Sequence, residues 1–361
     1  MPWSVLVEVA LYGEGGFYAA GGGAGRHRDF LTSPEMGTLF GAVLARAIDA
    51  TWEACGRPDP WVVVEAGAGP GTLAAAVLAA APACAPALRY VAVEVSPALR
   101  SAAAGRLALE DPAQVLGPRV AGASGEAPAP RTGVGPLVAT VADLPAGSEA
   151  GVVFANELLD NLPFDVYARA DGTWQEVRVR TDDDAFVEVL VPAPPEVAAR
   201  LAALAPDAPD GARVPWQARA VAWLRQALAL VECGRVVVVD YGRTTAELAD
   251  VGPAAWMRTY RRGGPGLGPL IRIGEQDVTA DVAIDQLAAV RPPTRVRDQA
   301  AWLDAHGLAV LTAEAERRWQ EGAASGGLSA VAARSRVHEA RALSDRSGLG
   351  GFTVCEWDVA L

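Results

Sequence analysis

The 361-residue sequence has no lysine; all 31 of its basic residues are arginines. Walker-type phosphate loops and Schiff-base catalysis each need an internal Lys, so P-loop NTPases, conventional kinases and pyridoxal-phosphate enzymes are excluded. Histidine is nearly as scarce. His27, His306 and His338 lie far apart in the chain, which argues against a His-rich metal centre or a Ser-His-Asp triad. The four cysteines, at 55, 84, 233 and 355, include no C-x-x-C pair. Neither a zinc site nor a disulfide framework is expected, and a reducing, cytoplasmic setting is.

Positive charge is also in deficit. With 43 acidic residues the formal net charge is −12, which argues against a nucleic-acid partner, because a duplex binder replaces phosphate counterions with basic surface. Long hydrophobic runs are equally few. The 23 residues from Ala66 to Leu88 carry no charge, but they are mostly Ala and Gly, open on a glycine turn and contain Pro70, Pro82 and Pro86. No membrane insertion is expected from them. A basic segment ahead of the first apolar run is missing too, and Glu8 interrupts that run, so no secretory signal is expected.

What is present is a 51% hydrophobic chain with 38 Gly and 26 Pro, enough for a sizeable core in one large domain or two smaller ones. Thr32-Ser33-Pro34-Glu35 reads as a helix start, and Met36, Phe40, Val43, Leu44, Ile48 and Trp52 predict one long helix ending near Gly56. Trp61–Ala66 and Tyr90–Val95 read as strands flanking a glycine turn and a helix over Thr72–Ala80. Leu137–Val141, Val152–Ala155 and Val236–Val239 are further apolar strands of a mostly parallel sheet covered by helices.

Between the last two strands the period changes. Phe164–Arg169, Trp174–Arg180 and Phe186–Val191 alternate around an Asp171-Gly172 turn and predict an antiparallel meander. Pro-rich stretches at 192–195 and 206–215 read as connections to a helix over Gln217–Val231. Gly117–Pro136 reads as a surface loop, Gln299–His306 as a helix, and Gly351–Leu361 as a closing strand at an antiparallel edge, where a homodimer contact is permitted. The expected organisation is an N-terminal cap (1–56), a first half of the sheet (57–162), an α+β insertion (163–231) and a second half of the sheet (232–361).

Glu65-Ala66-Gly67-Ala68-Gly69-Pro70-Gly71 joins a strand to a helix, where glycines permit positive φ and close approach of a ligand. A dinucleotide fingerprint needs a third glycine where Thr72 stands. The observed E-x-G-x-G-x-G spacing resembles motif I of class I S-adenosylmethionine methyltransferases, in which the leading acid, here Glu65, lies near the amino-acid end of the cofactor. Glu94, closing the second strand, is suited to accept hydrogen bonds from both ribose hydroxyls. Asp143, after the third strand, reads either as a partner of the adenine amino group or as an exposed loop acid.

The fourth strand runs into Asn156-Glu157-Leu158-Leu159-Asp160-Asn161-Leu162-Pro163, at the end of the sheet where open α/β proteins bind ligands. Asn156 is assigned to the cofactor. Glu157 and Asp160, three apart, share a face if the turn is helical, and two carboxylates can grip a guanidinium and take up the proton released on transfer. The plainer alternative is a helix cap at Asn156 or Asp160 beside a solvated Glu157.

Taken together, Gly16-Phe17-Tyr18, Asp29-Phe30-Leu31-Thr32-Ser33-Pro34-Glu35, Phe40-Gly41, Glu65–Gly71, Asn156–Pro163 and Asp240-Tyr241-Gly242 resemble the MidA family, as do Met257–Arg261 and Asp277–Val282. That resemblance implies a Rossmann-like class I methyltransferase fold with a seven-stranded, mostly parallel sheet, an antiparallel edge strand and an N-terminal helical cap. It implies S-adenosyl-L-methionine as cofactor and, by analogy with the mitochondrial complex I assembly factor of the family, methylation of an arginine on a protein partner. It also implies that Asp29, Thr32 and Ser33 line the cofactor entrance, that the Tyr12–Gly25 loop closes over it and that Tyr241 bounds the substrate pocket. Thr32 as a simple helix cap and Tyr241 as a core residue stay open. So do two other functions, a small-molecule O- or N-methyltransferase and a non-catalytic cofactor-binding assembly chaperone.

Overall fold

The computed structural model describes residues 1–19, 22, 32–117, 132–147, 150–183, 185–322 and 327–361. Two compact units alternate along the chain. One comprises Met1–Phe30, Glu157–Gln226 and Asp240–Pro292; the other comprises Leu31–Asn156, Ala227–Val239 and Pro293–Leu361. The first opens with helix α1 (Trp3–Tyr12). The second begins with α2 (Ser33–Met36) and α3 (Leu39–Ala54).

The single long helix expected from Thr32 is therefore two. Glu339, on the helix Leu328–Ser344, occupies the space where a side chain at Gly37 would stand, 2.1 Å from an ideal Cβ, and its Oε2 accepts the N–H of Leu39 at 3.0 Å. A distant carboxylate thus caps α3, a function no local pattern encodes.

The second unit then builds β1 (Trp61–Ala66), α4 (Thr72–Ala79), β2 (Leu88–Val93), β3 (Leu137–Val141) and β4 (Ala150–Asn156). All six residues of β1 and all six of β2 are buried, as expected of central parallel strands. The strands Val231–Asp240, Arg295–Asp298 and Thr353–Val359 complete a seven-stranded sheet. Its order runs from 295–298 through 353–359, 231–240, β4, β1 and β2 to β3. The pairs β1/β2, β1/β4, β2/β3 and β4 with 231–240 are parallel. Thr353–Val359 is not the edge strand, as the sequence reading has it. Arg295–Asp298 pairs antiparallel with it and takes the edge. Four residues with two arginines carry too weak a strand signal to be read locally. They are held by Glu356, fully buried and ion-paired to Arg235 at 3.1 Å and to Arg297.

In the first unit, β5 (Asp165–Ala170), β6 (Thr173–Asp182), β7 (Ala185–Pro192) and β8 (Arg213–Trp216) form an antiparallel sheet in the order β7-β6-β5-β8. Asp171 (φ 51°) and Gly172 (φ 73°) make the two-residue β5–β6 turn, both in the left-handed region a twisted hairpin requires. Trp3, Leu6 and Leu11 of α1 belong to one buried cluster with Phe164, Val177 and Trp256. The proline-rich connections turn out to be structured: Pro195–Leu204 is a helix with proline at its start, and Pro215 sits in β8, an edge strand that tolerates a missing donor. Helices Ala218–Leu230 and Gln299–Ala305 lie where the periodicity puts them. The expected loop at Gly117–Pro136 falls mostly outside the described residues. Among the described residues no helix is long and apolar enough to cross a membrane.

Candidate active site

Between β1 and α4 the chain turns through Gly67, Gly69 and Gly71, with φ of 73°, 53° and 78°. An L side chain at each would be strained. The N–H groups of Gly67 and Ala68 both reach the carbonyl of Val93, at 2.9 and 3.0 Å, which locks the turn onto the end of β2. Glu94 follows directly. Its buried carboxylate accepts the N–H of Gly69 at 2.9 Å through Oε2 and that of Ser96 at 2.8 Å through Oε1. Burial raises its pKa, while these two bonds and Arg100 oppose the rise. A carboxylate offers about four acceptor positions, so capacity is left for two hydroxyl donors. A Cβ built at Gly69 meets no described atom within 4 Å, so open space lies in front of the turn. Bare backbone beside a buried strand-end acid suits a ribonucleoside.

Glu65 is turned inward. Its carboxyl accepts the Tyr90 hydroxyl at 2.8 Å and bonds the backbone of Ala74 in the first turn of α4, standing in for the side-chain cap that Gly71 cannot supply. Burial lifts its pKa to about 8, against these bonds. Ser33 is fully buried, and its hydroxyl donates to Gln299 at 3.1 Å. Thr32 is buried at the N-cap of α2 and makes no side-chain cap bond. Asp143 is exposed in the bend after β3, and Asn156 is half-buried at the end of β4. Asp29 lies outside the described residues.

In the other unit the segment after Asn156 builds a nest of carboxylates. Glu157 is half-buried with φ of 50°, left-handed for a non-glycine residue. Asp160 is buried in a short 3-10 turn (Leu159–Asn161). Its Oδ2 accepts the Thr279 hydroxyl at 2.5 Å, while its buried Oδ1 has no hydrogen-bond partner among the described residues. Asp240 organises the turn from below: one oxygen accepts the N–H groups of Leu159 and Asp160 at 3.0 and 3.3 Å, and the other takes that of Tyr241 at 2.9 Å.

Asp277 accepts from Asn161 Nδ2 at 3.0 Å and from the Tyr18 hydroxyl at 3.3 Å; Tyr18 also donates to Asn161 Oδ1 at 3.0 Å and stacks on Tyr12. Beyond them Asp281 is ion-paired to Arg258 at 2.5 Å and to Arg243 at 3.0 Å, and the Arg258 guanidinium lies 4.6 Å from the centre of the Tyr241 ring. Burial pushes Asp160 to about 6 and Asp277 to about 7; for Asp277 the charge of Asp160 adds to the rise. Asp240 is raised by burial and then by Asp160.

Glu157, Asp160 and Tyr241 are thus brought into one neighbourhood, where Glu157 and Asp160 both act on the ionisation of Tyr241. Sequence reasoning missed Tyr18, Asn161, Asp240, Asp277 and Thr279 as members of it. Each sits in a segment singled out by resemblance, but only folding shows that these segments converge. Among the described residues no group of three His, Cys, Asp or Glu could hold a metal ion.

Residues 43–295 match a protein family described as "Putative S-adenosyl-L-methionine-dependent methyltransferase". The mitochondrial protein arginine methyltransferase NDUFAF7 homologue of Drosophila melanogaster is 31% identical over 182 residues, 48% of this chain and 39% of that protein. NDUFAF7 of Xenopus tropicalis is 40% identical over 58 residues, 16% of this chain and 14% of that protein. These matches therefore span well under half the length of the curated relatives. A COG1565 superfamily member from Burkholderia thailandensis, solved with S-adenosyl-homocysteine bound, shares the fold with a TM-score of 0.79 and 28% identity, covering 100% of this chain and 88% of that one. A glycine turn, a strand-end acid and a family match over more than half of the residues agree: the chain belongs to the MidA family of S-adenosyl-L-methionine-dependent methyltransferases.

Proposed function

We propose that this protein methylates an arginine of a protein partner, using S-adenosyl-L-methionine. The observation that carries the reading is Asp160, a buried carboxylate with one oxygen lacking a partner among the described residues, in a nest of further acids. Such a group is costly unless a cation meets it, and a guanidinium is the cation that two carboxylates hold as a fork. The naming of the fruit-fly and frog relatives as protein arginine methyltransferases supports the same acceptor.

When bound, the cofactor supplies a methyl carbon activated by a sulfonium. Gly67, Gly69 and Gly71 receive it along the backbone, Glu94 takes its ribose hydroxyls, and Glu65 braces the turn; Asn156, Thr32, Ser33 and Asp143 belong to the same lining. Glu157 and Asp160 orient the guanidinium so that one nitrogen lone pair points along the line of displacement. Asp160 accepts the proton that this nitrogen sheds. Tyr241 walls the acceptor, and the antiparallel segment 163–231 docks the protein that carries it. Complex I assembly in a cytoplasmic setting, which suits cysteines that form no disulfide among the described residues, is the process this activity would serve.

The test is incubation of the protein with methyl-labelled cofactor and a lysate of its source cells, followed by fractionation and amino-acid analysis. Label recovered as methylarginine is expected. Label in small metabolites would replace the reading with a small-molecule methyltransferase, and no label with cofactor still bound would leave an assembly chaperone.

A further inference from the structure

Asp281 is buried between the strands Asp277–Ala280 and Val282–Ala283, and the backbone around it is fastened on two sides. Its N–H donates to the carbonyl of Trp256 at 2.8 Å, just ahead of the strand Met257–Arg261, and the N–H of Val282 donates to the carbonyl of Tyr241 at 2.6 Å. Asp281 therefore stands where the segment carrying Arg258 meets the segment carrying Tyr241. Its carboxylate is shared between them: Oδ1 pairs with Arg258 at 2.5 Å, and Oδ2 with Arg243, two residues past Tyr241, at 3.0 Å.

Arg258 does more than neutralise that charge. Its Nη1 also donates to the carbonyl of Ala255 at 3.0 Å, and its guanidinium is set 4.6 Å from the centre of the Tyr241 ring. Its buried Nε has no hydrogen-bond partner among the described residues. A buried donor left unmet costs free energy, so the group is placed for the ring and the carboxylate at the expense of a full set of acceptors. A planar guanidinium can lie against an aromatic ring while its edge holds a carboxylate, which a compact ammonium cannot do. Both residues are tied to the acid nest. In the antiparallel ladder Arg258 lies opposite Thr279, whose hydroxyl meets Asp160, and opposed residues share a sheet face. The N–H of Tyr241 is held by Asp240, which also holds the turn that carries Asp160.

We propose that Arg258, clasped by Asp281, is a positioning residue for methyl transfer: it fixes the Tyr241 ring as the wall against which the acceptor is aligned, on the reading of Tyr241 as a boundary of the acceptor pocket. An aromatic side chain swings about two torsions unless something holds it. Here the holder is a cation whose own place is set by a buried carboxylate, so the ring keeps its angle when the acceptor arrives. Alignment is what an in-line displacement needs, and a reacting group misplaced by about 1 Å costs roughly 10²-fold in rate.

The full chain is supplied with saturating methyl-labelled cofactor and a dilution series of source-cell lysate, and initial rates of label transfer are read in whichever fraction, protein or metabolite, the wild type labels. Wild type is compared with Arg258→Met, Tyr241→Leu and the double variant, each also titrated calorimetrically with S-adenosyl-homocysteine. Arg258→Met should bind S-adenosyl-homocysteine as wild type does and transfer about 10- to 100-fold more slowly. The double variant should be no slower than Tyr241→Leu alone, because a residue that acts through another adds nothing once that other is gone. Arg258→Lys, which keeps a charge for Asp281 but not the plane, takes the place of Arg258→Met if that variant does not fold, with the same outcomes expected. Undiminished transfer by the folded Arg258 variant, weakened S-adenosyl-homocysteine binding, or losses that multiply in the double variant would overturn the role of Arg258 and leave Tyr241 in place. No transfer by the wild type, or undiminished transfer by Tyr241→Leu, would remove the acceptor wall itself and the role of Arg258 with it.

Discussion

Asp240 receives the N–H of Leu159 at 3.0 Å on the same oxygen that takes the N–H of Asp160. The last residue of a long strand thereby holds the turn that carries two acidic side chains, and the acid of the D-Y-G segment works by hydrogen-bonding backbone. Replacing it by Ala strands three N–H groups, those of Leu159, Asp160 and Tyr241. Asp240→Ala should lower the unfolding free energy by about 2–3 kcal/mol, read from a urea titration. Asp240→Asn, which keeps an acceptor, should lose less. Equal stability of Asp240→Ala and wild type would mean that the turn is held by other means.

Glu157 stores backbone strain, because a non-glycine residue at φ of 50° is disfavoured by about 1 kcal/mol relative to glycine. Glu157→Gly should therefore raise the unfolding free energy by about 1 kcal/mol while turnover falls about 10²-fold or more, the ordinary worth of a positioned acid or base. Calorimetric binding of S-adenosyl-homocysteine should persist. A variant that is neither more stable nor slower would remove Glu157 from the acceptor site.

At Gly69 the space in front of the backbone is open, but φ is 53°. Gly69→Val should cost about 1–2 kcal/mol of stability from the left-handed conformation, and its branched side chain should abolish S-adenosyl-homocysteine binding by filling the approach to the turn. Normal affinity in this variant would show that the cradle lies elsewhere.

The raised acids set a pH dependence of definite sign. Unfolded carboxyls titrate near 4, whereas folded Asp160 and Asp277 are lifted to about 6 and about 7. Between roughly pH 4 and pH 7 the folded chain holds more protons than the unfolded one, so stability falls as pH rises through that window. Asp277→Asn should flatten the fall, by an amount on the order of 1–2 kcal/mol between pH 4.5 and 7.5. Urea titrations at those two pH values decide it, and an unchanged or steeper slope would refute the assignment. Methyl transfer should run the other way: kcat/KM rises over the same window as the Asp160–Asp277 pair ionises, and Asp160→Asn should lose that acid limb.

The parallel strands were legible because fully apolar runs such as Trp61–Ala66 and Val236–Val239 have no alternative to burial, and the meander because its alternation brackets an Asp-Gly turn. The edge strand Arg295–Asp298 and the break at Gly37 were not legible, since partners far along the chain, Glu356 and Glu339, create both. Helix Pro195–Leu204 and β8 were hidden by prolines that read as loop signals but occupy a helix start and a sheet edge.

By itself the amino-acid order determined the strand-turn-helix unit, its glycines and the acids at the strand ends, because φ preference and burial act over a few residues and leave a local imprint. Only the tertiary structure decided that Tyr18, Asn161, Asp240, Asp277 and Thr279 surround Asp160. Those contacts join segments separated by most of the chain, and their energies come from desolvation and hydrogen bonding in an interior that exists only once the whole has folded.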